Sequence, residues 1–424
     1  MVLGRSALDL PYFTERICGI CSSAHALTAS LALEQALGIA VPPNGQLLRN
    51  LNFAADVLQN HISHFYLLAA PDYFRGPDIA PFLPHQEGEY RLSENEETQF
   101  AEHYFHSFDI CRYTHAAFTI LGGKAPHGHG IVPGGSTADI SYERISSYKS
   151  YLNKVNDFIE NIMIPDIELL FQRYPEMIDE GEGPGNYLSF GGFFSPIEGG
   201  IFSQGVVIQG KSEAFDEKLI TEEVTTAWYK QHPALYPANE NTEPDRSQAK
   251  GYSWVKAPRY RGYPMEMGPL ARAIIAGDKV PGRGALSRLW ARTHEAKKIA
   301  SLCFQWLEQL NPGAPALSTK ISSESGVGVG LHEVMRGSLG HWVAVEDMRI
   351  THCQIVTPSA WNFSSRDSSG NRSACESALL NTKYDAKDQD FQKIGAVIRS
   401  FDPCFSCTVH LIENDNLREF AVKI

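Results

Sequence analysis

The sequence Asp402-Pro403-Cys404-Phe405-Ser406-Cys407-Thr408-Val409-His410, near the end of the chain, contains two cysteines separated by two residues. A second pair with the same spacing lies near the start, in Arg16-Ile17-Cys18-Gly19-Ile20-Cys21-Ser22-Ser23-Ala24-His25. Thiolates are soft ligands that select nickel, zinc, copper(I) and iron, and two such pairs supply the four sulfurs of one site. The pattern therefore predicts a fold that brings the two ends of the chain together around a metal.

Composition and charge limit the class of protein. The chain has 424 residues, of which 43% are hydrophobic and 20% are charged, as in ordinary globular proteins. The formal net charge is -12 and no basic block interrupts it, so we expect no nucleic-acid surface. No apolar run reaches roughly 18 residues and the start does not resemble a signal peptide, so we expect a soluble chain without its own signal. Eight cysteines are too few for a secreted disulfide scaffold.

Periodic apolar residues predict long helices, and the fold class follows from them. The predicted helices cover 26–37, 48–68, 94–121, 142–170, 283–310, 375–381 and 388–400. From 181 to 263 the sequence is rich in glycine, aromatic and β-branched residues, and strand-like pieces at 187–190 and 205–209 predict small antiparallel sheets. We therefore expect an α+β fold, mainly α, in which a bundle of long helices and small antiparallel sheets form one domain over residues 1–424.

Two kinds of metal site fit two Cys-x-x-Cys pairs. A structural zinc site normally staples a short segment, with its pairs roughly 15 to 20 residues apart. Here nearly the whole chain separates the pairs, which favours a catalytic or redox metal. On spacing alone, a structural zinc site remains the alternative.

The residues around the cysteines match a known family. Arg-x-Cys-Gly-x-Cys-x-x-x-His near the start, with Asp-Pro-Cys-x-x-Cys-x-x-His at the end, resembles the signature pair of the large, catalytic subunit of nickel-iron hydrogenases. The respiratory, membrane-associated uptake branch is the most similar. Further stretches match the family in the same order along the chain: His61-Ile62-Ser63-His64-Phe65-Tyr66-Leu67, Lys256-Ala257-Pro258-Arg259-Tyr260, Pro264-Met265-Glu266-Met267-Gly268-Pro269-Leu270-Ala271-Arg272, Arg336-Gly337-Ser338-Leu339-Gly340-His341-Trp342 and Pro358-Ser359-Ala360-Trp361-Asn362.

The resemblance implies a nickel-iron centre held by four cysteines. Cys18 and Cys404 would be terminal nickel ligands, whereas Cys21 and Cys407 would bridge nickel and iron. The iron would carry carbon monoxide and cyanide. Iron-sulfur clusters are expected only in a partner subunit, because this chain has no further cysteine cluster to hold one.

The same resemblance assigns roles to residues around the cysteines. Arg336 and Ser359 would donate hydrogen bonds to the cyanide of the iron. Cleavage of H2 needs a base near the metal, and we favour the thiolate of Cys404 over Arg336, because arginine almost never loses its proton. The resemblance also gives the neighbours of the ligands as His25, Asn60, Pro358 and Asp402, and the ligands of a nearby magnesium or iron ion as His410 and the carbonyl of Ile355.

The function that the resemblance implies is the reversible heterolytic cleavage of H2, with H2 uptake as the physiological direction. A small iron-sulfur subunit would accept the electrons, and a membrane cytochrome b would be reached through it. Maturation proteins and a C-terminal endopeptidase are further implied partners, and residues 411–424 would be the peptide that the endopeptidase removes. The chain would lie at the cytoplasmic membrane through its partner, exported with it or cytoplasmic.

Two other functions fit parts of the pattern. A hydrogen-sensing or inactive, truncated paralogue would keep the cysteines, and the resemblance implies a further stretch before Met1 that contains a proton-relaying acid and a magnesium ligand. A structural four-cysteine zinc protein would need the thiolates alone. The remaining histidines and cysteines that stand out are interpreted as core or loop residues: His61, His64, His127, His129, Cys111, Cys303, Cys353 and Cys375.

Overall fold

A computed structural model describes the backbone at residues 2–85, 88–195, 199–383, 391–404, 407–413 and 416–422, and the side chains at 2–85, 88–193, 201–383 and 391–404. Within these ranges the α-helices are α1 Leu10–Thr14, α2 Ser22–Leu37, α3 Pro43–Ser63, α4 Glu94–Gly122, α5 Tyr142–Phe158, α6 Ile164–Arg173, α7 Pro269–Ala276, α8 Ala285–Gln309, α9 Pro358–Asn362, α10 Ala374–Leu380 and α11 Phe391–Ser400. The strands are β1 Ile131–Val132, β2 Gly135–Ser136, β3 Tyr187–Ser195, β4 Gly199–Ile208, β5 Lys211–Glu213, β6 Ile220–Glu223, β7 Ala257–Tyr260, β8 Gly326–Val334, β9 Gly337–Glu346, β10 Arg349–Val356, β11 Cys407–Glu413 and β12 Asn416–Val422.

The long helices pack into the predicted bundle. Helices α3, α4, α5 and α8 contact one another around the largest apolar core of the described residues. Helix α4 begins with a capping box, in which Ser93 and Glu96 bind each other's backbone N–H groups and so satisfy donors that the first turn leaves unpaired. The bundle confirms the mainly helical part of the predicted fold.

The helix predicted over 142–170 is divided into α5 and α6 by a wider π-helical turn at Ile159–Met163. Pro165, the second residue of α6, has no N–H to donate, so the regular pattern of α-helical hydrogen bonds is interrupted before it. A second π-helical turn, His64–Ala69, extends α3 to the expected end near Pro71.

A three-stranded antiparallel sheet, in the order β10-β9-β8, was absent from the sequence prediction. Helix α2 packs mainly on this sheet, and it also contacts α3 of the bundle. The approach is close because β8 presents glycines to the helix: a Cβ on Gly328 would lie 2.0 Å from the carbonyl oxygen of Ala32, and one on Gly330 would lie 2.1 Å from that of Thr28. Glycine is therefore required at both positions.

The direction of this packing places the candidate site. Gly326 lies against Ala36 and Gly330 against Thr28, so the end of β8 lies near the start of α2. Arg336 occupies the two-residue turn between β8 and β9, and the N-cap of α2 is Cys21. The sheet thus brings the cysteine pair at the start of the chain close to Arg336.

The remaining sheets are small and antiparallel, as predicted. Strands β3, β4 and β5 form one sheet, and the pairs β1-β2, β6-β7 and β11-β12 form three two-stranded sheets. Among the helices of the described residues, none is long and apolar enough to cross a membrane.

Candidate metal centre

Three cysteines from the two ends of the chain meet at one point. The Sγ atom of Cys404 lies 3.2 Å from that of Cys18 and 3.9 Å from that of Cys21. All three sulfurs lie within 4.8 Å of one another, and this is the one group of three or more metal-ligating side chains so placed in the described part of the chain. The side chain of Cys407 lies outside the described residues. The structure therefore brings together three of the four predicted ligands.

Local structure holds each cysteine in place. Cys18 follows a 3-10 turn in extended conformation, and Cys21 caps α2, whose N-terminal N–H groups favour negative charge. Cys404 follows α11, and its backbone N–H donates a hydrogen bond of 3.2 Å to the Oγ of Ser359. Ser359 lies in α9, directly after Pro358, which starts that helix. The predicted neighbours Pro358 and Ser359 are both buried, and Ser359 contacts Cys404 directly.

The three thiols influence one another's protonation. Contacts with Cys21 and Cys404 lower the pKa of Cys18, whereas the contact with Cys18 raises the pKa of Cys21 well above its usual value and also raises that of Cys404. Cys18 thus ionises most readily, and its negative charge favours the protonated form of Cys21 and Cys404. A soft cation would allow all of them to be thiolates, so the donor set fits a nickel or iron ion.

Asp402 links this cluster to two arginines. Its Oδ1 lies 3.0 Å from Nη2 of Arg336, and its Oδ2 lies 3.0 Å from Nη1 of Arg292. Burial alone would raise the pKa of Asp402, but Arg336, His64 and Arg292 outweigh it and lower the pKa to about 2. Asp402 also has a positive φ of 57°, an uncommon conformation for a residue with a side chain. The ion pairs therefore hold a strained backbone two residues before Cys404.

Asn60 completes the arrangement around Asp402. With its amide oriented to satisfy both partners, it donates to Oδ2 of Asp402 at 3.1 Å and accepts from Nη2 of Arg336 at 3.0 Å. His61, the next residue, contacts Arg292 at 2.9 Å and Glu295 at 2.9 Å. His61 is therefore a hydrogen-bonded core histidine, as interpreted, yet it supports the arginine that holds Asp402.

Arg336 retains hydrogen-bonding capacity. Its Nε and Nη1 atoms are buried and have no hydrogen-bond partner among the described residues. The Oγ of Ser359 accepts from Cys404, so its own proton is free to point elsewhere. Buried donors without acceptors are costly, so these groups fit a site that receives a bound hydrogen-bond acceptor.

His25 lies on the first turn of α2 and contacts His341, a histidine of the Arg336–Trp342 segment. Its Nδ1 lies 3.2 Å from Nε2 of His341 in β9. Burial lowers the pKa of His25 to about 4, against the effect of Cys404, and lowers that of His341 well below its usual value. Both rings are thus neutral near pH 7. The pairing could not be read from the sequence, because it depends on α2 packing across β9.

A polar cluster lies next to Ile355, whose carbonyl is a predicted magnesium or iron ligand. The Nε2 of the preceding residue, Gln354, donates to Glu222 at 2.5 Å and to Glu240 at 3.4 Å. Lys256 forms an ion pair with Glu240. Neither glutamate lies in a segment that resembles the family, although Lys256 begins one, so no sequence signal singles them out. The other predicted ligand of this ion, His410, has a side chain outside the described residues.

Other residues of the quoted segments stabilise the fold. Arg259 pairs with Asp367 at 2.7 Å, Glu266 with Arg288 at 2.7 Å, and Arg272 with Glu295 and Glu333 at 2.6 and 2.5 Å. Other histidines and cysteines lie outside the sulfur cluster. The Nε2 of His64 contacts the carbonyl oxygen of Arg399. Three cysteines are buried as expected, Cys111, Cys303 and Cys375, whereas Cys353 is only half-buried.

Comparisons with known proteins agree on one family. A family model described as nickel-dependent hydrogenase matches residues 1–80 and 75–410. The chain is 32% identical over 462 residues to the periplasmic NiFeSe hydrogenase large subunit of Desulfomicrobium baculatum, covering 99% of this chain and 89% of that protein. It is 28% identical over 542 residues to the uptake hydrogenase large subunit of Rhodobacter capsulatus, covering 99% and 90%. A solved structure of the D. baculatum NiFeSe hydrogenase has a TM-score of 0.90 at 30% identity, covering 95% of this chain and 90% of that one.

The sulfur cluster predicts which metals the chain binds. Purified with its small subunit and maturation proteins, the wild type should contain equimolar nickel and iron, measured by elemental analysis. Cys18→Ser replaces one soft thiolate by a hydroxyl and should abolish nickel binding. Cys353→Ser is the matched control, because Cys353 lies outside the cluster, and it should keep both metals. Zinc in the wild type, or nickel retained in Cys18→Ser, would contradict this assignment.

Proposed function

The chain belongs to the nickel-dependent hydrogenase family as a large subunit, and from that premise we propose that it catalyses the oxidation of H2 to two protons and two electrons. The protein is thus an enzyme, a nickel-iron hydrogenase. The main support is that the sulfurs of Cys18, Cys21 and Cys404 meet at one point. Arg336 lies near enough for its charge to interact with all three. Such a site combines soft metal ligands with a fixed positive charge.

All four cysteines would be metal ligands. Cys18 and Cys404 are proposed as terminal ligands of nickel, and Cys21 and Cys407 as ligands that bridge nickel and iron. When bound, the metals supply Lewis acidity that polarises H2 and an acceptor for its electrons. The gathering of three of these sulfurs within 4.8 Å supports the assignment.

Cys404 is proposed as the base that receives a proton from H2. Its sulfur is half-buried at the centre of the cluster, 3.2 Å from Cys18. Arg336 is a poor alternative, because Asp402 and the thiols outweigh the effect of burial and raise its pKa, so the guanidinium keeps its proton. Arg336 would act as a catalytic residue through its charge and its free donors.

Carbon monoxide and cyanide on the iron belong to the same proposal. The unpartnered Nε and Nη1 of Arg336 and the free proton of Ser359 would donate hydrogen bonds to cyanide. Pro358 would pack beside these ligands, because it starts the helix that carries Ser359. His25, Asn60 and Asp402 would hold Cys404 and Arg336 in position.

A magnesium or iron ion is proposed near Ile355. Its carbonyl oxygen and the side chain of His410 would be ligands. Support comes from the acidic side chains of Glu222 and Glu240, which reach the neighbouring Gln354 and would hold the water around a hard cation.

A hydrogenase small subunit is the partner of this large subunit, and we propose where it binds. The loop that carries the first cysteine pair is exposed and apolar: Ile17 is 50% exposed and Ile20 is 49% exposed. Cys18 itself is only half-buried, so metals held by it would lie near this side of the chain. A small subunit that covers this loop would bury the apolar side chains and bring an iron-sulfur cluster close to the metals.

The small subunit would also determine where the complex resides. We propose that it connects this chain to a membrane cytochrome b and so holds it at the cytoplasmic membrane. The uptake hydrogenase large subunit from Rhodobacter capsulatus, to which the chain is 28% identical, supports the uptake direction. Maturation proteins would assemble the metals before the small subunit binds.

Residues 411–424 are proposed as a peptide that an endopeptidase removes after nickel insertion. Strand β11 continues from Cys407 to Glu413 and pairs with β12 alone among the described strands. Cleavage after His410 would therefore remove no strand from the other sheets. It would free Cys407 from this hairpin and allow its sulfur to join the other three.

Arg336→Lys tests the role of the guanidinium. Lysine keeps the positive charge but loses the planar donors, so H2 oxidation per bound nickel should fall by about 10²-fold or more, measured by dye reduction under H2. Arg49→Lys is the matched control, because Arg49 is also buried and ion-paired but contacts Glu34 and not the sulfur cluster. Unchanged turnover in Arg336→Lys would refute the role of Arg336.

Ile20→Asp tests the proposed small-subunit surface. A charge in the buried centre of an interface is costly, so the small subunit should no longer copurify with the chain. Tyr142→Asp, at a residue that is 78% exposed on α5, should leave copurification unchanged. Equal copurification of both variants would place the interface elsewhere.

If the C-terminal peptide is removed after nickel insertion, the mass of the chain should depend on whether nickel is bound. The nickel-loaded chain should end at His410, whereas chain from nickel-starved cells should retain residues 411–424, as measured by intact-protein mass spectrometry. A loaded, active chain that still carries the peptide would contradict the proposal.

A further inference from the structure

A surface cavity of about 290 Å³ lies between α7, α8 and β4, and none of the cysteines of the sulfur cluster lines it. Its volume is at the lower end of the range found for small-molecule sites, roughly 300–1,000 Å³. The cavity, here called the α7–α8 cavity, is thus large enough for an organic molecule of one or two rings.

One wall of the α7–α8 cavity is aromatic. Trp290, His294 and Lys298 line it at intervals of four residues, so they share one face of α8. The rings of Trp290 and His294 stack, with centroids 3.9 Å apart and planes inclined by 27°. The buried ring of Phe202, in β4, also lines the cavity. Aromatic side chains of this kind pack against flat rings by offset stacking or edge-to-face contact.

The rim of the cavity carries more positive than negative charge. Lys279 and Lys298 are exposed there, and neither has an ion-pair partner among the residues that the structure describes. The ammonium of Lys298 lies 5.7 Å from the centroid of the Phe202 ring. Asp278 is the one exposed acid of the lining. The rim is therefore positive in a chain whose formal net charge is -12, and it favours an anionic ligand.

Arg272, which is only 3% exposed, forms the inner side of the cavity. A guanidinium has five N–H groups. Four of those on Arg272 donate within the described residues, two to Glu295, one to Glu333 and one to the carbonyl oxygen of Val334. The remaining N–H, on Nη2, has no acceptor in this part of the chain. Because a buried donor without an acceptor is costly, this group fits a site that receives a bound acceptor.

His294 adds an acceptor to the same cavity. Its Nδ1 lies 2.9 Å from the carbonyl oxygen of Trp290 and donates a hydrogen bond to it. Burial lowers the pKa of His294, so the ring is neutral near pH 7 and Nε2 keeps its lone pair. The cavity therefore combines an aromatic wall, three cationic side chains and one neutral acceptor.

We propose that the α7–α8 cavity binds a small organic anion whose flat aromatic ring packs against Trp290 while its phosphate or carboxylate pairs with Lys279, Lys298 and the unpaired N–H of Arg272. A donor group on the ring would bind Nε2 of His294. The inference goes beyond the proposed function, because none of these residues is assigned to the metals or to H2. The ion pairs of Arg272 already fix the inner side of the cavity, so binding requires little ordering of the chain.

The test is isothermal titration calorimetry on the purified complex of this chain with its small subunit. Adenosine monophosphate and 4-aminobenzoate are the probes, since both carry a flat ring, an amine donor and an anionic group. At least one should bind with a dissociation constant below about 1 mM, and which of them binds distinguishes phosphate from carboxylate. Adenosine and inorganic phosphate each lack half of the required chemistry and should bind at least about tenfold more weakly than adenosine monophosphate.

Two variants place the probe in the cavity. Lys298→Ala removes one cation from an exposed position and should weaken binding by about tenfold. Lys297→Ala is the matched control, because Lys297 is the adjacent exposed lysine of α8 but pairs with Glu160 at 3.6 Å and does not line the cavity. Ala276→Trp introduces a large ring at an exposed position of the lining and should abolish binding. Thermal unfolding of each variant should match that of the wild type.

Three results would overturn the inference. The first is that neither probe binds the wild-type complex, as when the small subunit covers the cavity. The second is equal affinity in the wild type, Lys298→Ala and Ala276→Trp, or equal weakening by Lys297→Ala and Lys298→Ala. The third is that inorganic phosphate binds as tightly as adenosine monophosphate, which would remove the role of the ring. Binding is measured without turnover, so a failure of the proposed function would leave this test unaffected.

Discussion

The whole site depends on the buried carboxylate of Asp402, which pairs with Arg292 and Arg336 at 3.0 Å each. One pair joins the last cysteine segment to the long helix α8, and the other joins it to the β8–β9 turn. Removing one partner of a buried ion pair typically costs about 3–5 kcal/mol, because the remaining charge is left without compensation. Three distant parts of the chain are thereby fixed around Cys404.

The close packing of α2 on β8 supplies the other half of the site. Because the glycines of β8 let the helix backbone approach, the start of α2 lies beside the turn that carries Arg336. A chain of buried polar contacts leads away from the site. Arg292 contacts His61, His61 contacts Glu295, and Glu295 pairs with Arg272. These contacts keep the arginines rigid, so their charges are already oriented before H2 arrives.

Local sequence signals predicted much of this structure, and long-range pairing explains the rest. The cysteine spacing indicated a shared site, and Gly38, with a φ of 63°, ended α2 where expected. The sheet of β8, β9 and β10 was missed because its glycine-rich first strand resembles a loop until a helix packs against it. His341 and Glu222 were missed because their partners are remote in sequence.

The centre itself is tested most directly by the infrared spectrum of the chain purified with its small subunit after coexpression with the maturation proteins. The account predicts stretching bands of carbon monoxide and cyanide that shift when the sample is placed under H2, because the diatomic ligands report electron density on the iron. A spectrum without these bands, from a chain that holds zinc or no metal, would contradict the account.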